Sequence, residues 1–189
     1  MSNELSIESR DRAMIVRFTR PEIRNPLSVI AVDQLHQIVD DLAPHREIDK
    51  LIFTGSADSF AAGADLREIA GLTPENAPEF ARYGQSLMSK IVRLPQKTFA
   101  AVNGWCFGGG LDLALACDAR IATPNAKFAH PGAGLGIITG WGGTQRLPLL
   151  VGSANAFEMF FTASPIDAER ALEIYLVDEI ADDPIAAIL

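Results

Sequence analysis

Apolar residues recur along this chain at two different spacings, and each spacing predicts its own kind of element. Across residues 29–42, Leu35, Ile38, Val39 and Leu42 share one face of a helix. Across residues 74–94, Phe80, Tyr83, Leu87, Ile91 and Leu94 repeat every three or four positions, which again predicts a helix with one buried face. Elsewhere the apolar runs are short and unbroken. Residues 14–18 (ended by Arg20-Pro21), 51–54 (closed by Gly55), 98–102 and 120–122 each predict a buried strand. Residues 111–117 are apolar nearly all round and predict a central helix. Residues 154–161 and 167–174 predict two late helices.

Strands alternating with helices predict an α/β fold with parallel pairing. No linker, low-complexity tract or internal repeat divides the chain, so residues 1–189 are expected to form one domain. At 189 residues and 48% hydrophobic content, the chain can bury a substantial core. Its net charge of −8 argues against non-specific nucleic-acid binding, because a polyanion is repelled. The polar start Met1-Ser2-Asn3-Glu4 lacks the apolar stretch of a signal peptide, and no apolar run is long enough to span a bilayer. A cytoplasmic location is therefore expected, without a membrane partner. Cys106 and Cys117 lie in apolar segments and read as buried free thiols. The three histidines and two cysteines show no metal-ligand spacing.

The chemistry concentrates in two stretches, Phe60-Ala61-Ala62-Gly63-Ala64-Asp65-Leu66 and Asn103-Gly104-Trp105-Cys106-Phe107-Gly108-Gly109-Gly110-Leu111-Asp112. The small residues let a backbone N–H approach a ligand unobstructed. Two such groups converging on one oxygen form an oxyanion hole. A glycine run alone equally suits a tight turn. Here both stretches occur together with Phe128-Ala129-His130-Pro131, with Gly140-Trp141-Gly142-Gly143-Thr144-Gln145-Arg146-Leu147-Pro148, and with Arg20-Pro21-Glu22-Ile23-Arg24-Asn25-Pro26-Leu27-Ser28. In this combination the chain resembles the crotonase superfamily, the enoyl-CoA hydratase/isomerase family, over residues 5–177.

The resemblance implies a crotonase-like spiral of repeated β-β-α units. It also implies a homo-oligomer, a trimer or hexamer, and a C-terminal helical region that is largely absent here. Whether the short end is a truncation or only the ordered core is left open by the sequence. The substrate implied is an acyl-CoA thioester, with coenzyme A as part of the substrate and no other cofactor. The amides of Ala62 and Gly109 are expected at the thioester oxygen, stabilising an enolate. Ala64, Asp65 and Leu66 are expected near the adenine, Arg24 at a phosphate, and Gly108, Gly132 and Trp141 in the pocket wall. The family's two hydratase glutamates fall at Asp112, a shorter carboxylate, and at Gly132, which has none. Asp112 is thus the expected acid–base residue. His130, held by Pro131 on a loop expected to border the pocket, is expected to play no part, and Thr139 and Trp141 flank Gly140 in a loop that brings no carboxylate. Hydration of a 2-enoyl-CoA is the reaction expected. Decarboxylation of a malonyl-type thioester, isomerisation, or catalytically weak thioester binding stand as alternatives.

Overall fold

The computed structural model describes residues 3–189. The chain opens with a hairpin, β1 (Leu5–Arg10) and β2 (Ala13–Phe18), whose strands pair antiparallel. The short strand β3 (Pro26–Leu27) follows. Helix α1 (Val29–Leu42) starts where the Ser28 side chain accepts a hydrogen bond from the Ala31 N–H at 3.1 Å, and it buries Leu35, Val39 and Leu42. Strand β4 (Lys50–Thr54) leads to β5 (Ser59–Ala61), β6 (Gly63–Ala64) and the single turn of α2 (Leu66–Ile69). Helix α3 (Ala77–Val92) precedes β7 (Lys97–Val102), β8 (Trp105–Phe107) and α4 (Gly109–Ala116). Then come β9 (Ala119–Ala122), β10 (Lys127–Ala129), α5 (Gly143–Val151) and α6 (Ser153–Thr162). The chain closes with β11 (Ile166–Asp167), α7 (Ala168–Glu173), β12 (Glu179–Ile180) and α8 (Pro184–Ile188).

The strands form a six-stranded sheet in the order β1-β2-β4-β7-β9-β12, a four-stranded sheet β11-β10-β8-β5, and the pair β3-β6. Pairing is parallel except at β1–β2 and β10–β11, so the sheets are mixed rather than wholly parallel as the alternation predicted. Period-two alternation gives the large sheet two apolar faces. Leu51, Phe53, Ala100 and Val102 join the main core beneath α1, α3 and α4, whereas Ile52 and Ala101 face the other way and pack with Ile185 and Ile188 of α8. Helix α4 lies inside the main core, buried from Gly110 to Ala116, as its apolar circumference predicts. Cys106 and Cys117 are buried and free. No helix among the described residues is long and apolar enough to cross a membrane.

Candidate active site

The site forms where β6 meets the start of α4. Asn25, buried and with φ of 49°, donates from its side chain to the Ser59 carbonyl at 2.7 Å and accepts from the Arg20 N–H at 2.8 Å. That turn delivers β3 to its partner β6. The Ala62 N–H donates to the Arg24 carbonyl at 3.0 Å, so the amide expected at the thioester oxygen is already bonded within the protein. The neighbouring register supplies a different donor. Pro26 pairs with Gly63 and Leu27 with Ala64. Because Pro26 has no N–H, the alternating parallel ladder must run through Gly63, which turns the Ala64 amide away from β3.

That amide turns toward α4. A β-carbon on Gly109 would lie 3.2 Å from the Ala64 nitrogen, and one on Gly63 would lie 2.7 Å from the Gly109 nitrogen. Gly63, at φ +94°, is therefore the residue that lets strand and helix close on each other. The Gly109 N–H is a first-turn donor with no partner inside its own helix. The pair of amides suited to one oxygen is thus Ala64 and Gly109, in place of Ala62 and Gly109, with the positive end of α4 behind them.

A cavity of about 240 Å³ lies beside these amides. Leu66, Leu72, Phe80 and Trp141 give it apolar walls, and Asp112 and His130 are the ionisable groups that reach it. Trp141 is buried against Phe80, with ring centres 5.6 Å apart, and fills the space that a side chain on Gly84 or Gly109 would occupy. Asp112, on the first turn of α4, is fully buried. Its Oδ2 accepts a hydrogen bond from the Thr139 hydroxyl. Burial pushes its carboxyl up to about 6, while the Thr139 hydroxyl, the Trp141 and Gly143 amides and the Arg146 charge pull the other way. Among the described residues, no hydrogen bond of good geometry reaches Oδ1. The His130 ring lies tilted against Phe160, with ring centres 5.0 Å apart. Burial pulls its imidazole down to about 4.

The other expected positions divide. Gly108 lines the cavity and donates its N–H to the Ala129 carbonyl at 2.9 Å. Leu66 lines it too, half-exposed. The Asp65 carboxylate caps α2 through the Arg67 N–H and pairs with the Arg67 guanidinium, so only its backbone is left for a ligand. Arg24 lies outside the cavity lining, with its guanidinium 4.9 Å from the Trp105 ring centre. Gly132 lines the cavity within a tight turn over Pro131–Leu135, its carbonyl accepting from the Ile137 N–H at 2.9 Å. A β-carbon at 132 would stand 2.5 Å from the Ile137 carbonyl oxygen, so this loop is wound around the absence of a side chain.

Residues 8–185 match the sequence profile of the enoyl-CoA hydratase/isomerase family. The chain belongs to that family. A crotonyl-CoA hydratase of Syntrophomonas wolfei is 39% identical over 175 residues, covering 92% of this chain and 67% of that protein. A short-chain-enoyl-CoA hydratase of Clostridium acetobutylicum is 35% identical over 181 residues, covering 95% and 69%. The crystal structure of an enoyl-CoA hydratase from Bacillus anthracis superposes with a TM-score of 0.90 at 34% identity, covering 95% of this chain and 70% of that one. Within this enoyl-CoA hydratase/isomerase member, sequence reasoning missed two features of the site. The Ala64 amide depends on a strand register. The Thr139 bond to Asp112 crosses 27 residues of chain. His130 lines the cavity, on the loop expected to border the pocket. The missing N–H of Pro26 is the one signal that could have pointed to Ala64.

Proposed function

We propose that this protein hydrates a short-chain 2-enoyl-CoA thioester. The observation that carries the reading is the convergence of the Ala64 and Gly109 amides at an apolar cavity into which the Asp112 carboxylate also reaches. In that arrangement the thioester oxygen accepts from both amides. Charge displaced onto it by attack at Cβ is held by them and by the start of α4; removing one such donor costs about 10²–10³ in rate. Asp112 is the carboxylate that orients the attacking water. The cavity's volume suits a short acyl chain, and the names of the two relatives favour the same class.

Coenzyme A enters as part of the substrate, with no further cofactor. Backbone groups of Ala64, Asp65 and Leu66 face the adenine and Arg24 a phosphate. In this reading the protein works in the cytoplasm, in fatty-acid metabolism, as a homotrimer or a hexamer. The glycine at 132 favours one second reading, decarboxylation of a malonyl-type thioester, which needs the two amides but not a second carboxylate. Turnover of the purified chain on crotonyl-CoA, malonyl-CoA and methylmalonyl-CoA separates these. Hydration of crotonyl-CoA is expected. Carbon dioxide release from either malonyl thioester without hydration would establish the second reading instead. Binding of all three without turnover would leave a thioester-binding protein.

A further inference from the structure

Three polar atoms in this site are buried without a hydrogen-bond partner among the described residues: Asp112 Oδ1, His130 Nε2 and His130 Nδ1. They are not scattered. His130 Nε2 stands 3.7 Å from Asp112 Oδ1, and both side chains belong to the lining of the apolar cavity. The separation exceeds a hydrogen bond but suits two groups that share a third polar partner. The backbone enforces the arrangement. A β-carbon on Gly143 would lie 2.2 Å from Asp112 Oδ1 and 2.9 Å from His130 Cε1, so the glycine at the start of α5 is what allows both groups to occupy this corner. Buried polar atoms without partners cost folding free energy, and such a cluster in a substrate cavity is the mark of a site that a ligand completes.

We propose that His130 replaces the carboxylate missing at position 132, holding the attacking water together with Asp112 and accepting its proton. This rests on the hydratase reading above. In the step, the water oxygen forms a bond to Cβ of the enoyl thioester as its proton passes to His130 Nε2. The π pair of the Cα–Cβ bond moves to give the enolate, whose oxygen lies between the Ala64 and Gly109 amides. The imidazolium then stands beside the Asp112 carboxylate, which stabilises it, and returns the proton to Cα. One water is thereby added across one double bond, with both residues restored. The site's charges agree with these roles. The groups facing His130 are Asp112 from α4 and the uncharged Phe160 from α6, while the Arg146 charge from α5 acts on Asp112. Burial holds the free imidazole neutral with a basicity near that of an ordinary carboxylate, the group it stands in for. A small second cavity of about 70 Å³, walled by His130, Phe160 and Ile138, flanks the imidazole.

The test is steady-state hydration of crotonyl-CoA by the whole chain and its variants, with acetyl-CoA affinity and thermal melting measured alongside. His130→Gln and His130→Ala are expected to lose about 100-fold or more in kcat, the range for an acid–base group, with KM and acetyl-CoA affinity changed less than about threefold. Added imidazole is expected to restore at least about tenfold to His130→Ala and nothing to Asp112→Asn. A purely structural histidine would give neither the kcat-specific loss nor the rescue. Full wild-type turnover with His130→Gln within about threefold of it overturns the proposal and leaves the hydratase reading standing. Absence of wild-type turnover overturns that reading and this proposal with it. Should His130→Ala melt below the assay temperature, wild-type kcat/KM decides. It is expected to rise through about 6 with Asp112 and stay level above pH 7; a further rise there would mean a different base.

Discussion

Asp112 carries a conflict between stability and chemistry that a single substitution can expose. Its carboxyl is raised from 3.8 to about 6 because burial disfavours the charged form. A group raised in the folded state stabilises fully only below its unfolded value, and that contribution is lost as pH rises through about 6. Above this pH the buried carboxylate weakens the fold by up to about 3 kcal/mol, taking 1.36 kcal/mol per pKa unit. Asp112→Asn keeps the shape and can still accept from Thr139. It is expected to raise the melting temperature at pH 8, to lose that advantage near pH 4, and to cut hydration at least tenfold. Melting curves at both pH values, with turnover at pH 8, check this. An unchanged melting temperature at pH 8 would mean that the neighbouring donors already compensate the charge. His130 has the opposite sign. Its depressed value means that stability is lost as pH falls from 6.5 through about 4, so the two residues oppose one another over the same acidic range. At this scale the family resemblance pointed to Asp112 as the position of a hydratase carboxylate, and its spacing from Gly109 places it on the first turn of α4. The resemblance put the first amide at Ala62, whose N–H the structure shows bonded to the Arg24 carbonyl. Ala62 and Ala64 are both small, and only the pairing of β3 with β6 decides which N–H turns toward α4.

The elements that matter most for the site are its shortest. Strand β6 has two residues, and its position depends on the Asn25 turn, whose side chain crosses to β5 at Ser59. Asn25 is buried at 1% exposure, and asparagine is among the residues that tolerate positive φ best. Asn25→Ala leaves the Ser59 carbonyl without this donor and is expected to cost about 1–3 kcal/mol of stability. Because β6 carries Ala64, kcat is expected to fall with it. Chemical denaturation and crotonyl-CoA kinetics test the two together; a stability loss with intact kcat would separate the turn from the site. The loop at Gly132 gives a second expectation. Gly132→Glu returns the family carboxylate in name only, since its β-carbon meets the Ile137 carbonyl. Hydration is expected to fall, not rise, and the melting temperature with it. The long helices were legible because α1 and α3 repeat their apolar stripe over 14 and 16 residues. Two- and three-residue strands such as β3, β6 and β8 hold too few positions to show a period. The edge strand β1 was missed for a different reason, as five of its six residues are exposed.

For the molecule as a whole, alternating strands and helices correctly indicated an α/β fold. The antiparallel hairpin at one edge of the large sheet and the antiparallel β11 lay outside what alternation can show. The surface supports one further expectation. Leu149 is 87% exposed, Phe161 73% and Phe157 66%, and the two phenylalanines on α6 stack with ring centres 5.5 Å apart. Single exposed apolar residues are ordinary, but a stacked aromatic pair left on the surface suits an association face. Helices α5 and α6, which carry these three residues, pack directly on the site: Gly143 starts α5 beside Asp112, and Phe160 of α6 lies against His130. Association of copies through this face, the closed arrangement expected of such subunits, would therefore stiffen the wall of the cavity. Sedimentation velocity across a concentration series is expected to show a homo-oligomer that Phe161→Glu dissociates, because a buried unpaired carboxylate opposes the contact. Hydration by the dissociated variant is expected to drop about tenfold, with wild-type secondary structure retained. A wild-type chain that sediments as a monomer at every concentration would overturn the oligomer, and full activity in a monomeric Phe161→Glu would show that α5 and α6 hold the site without a neighbour.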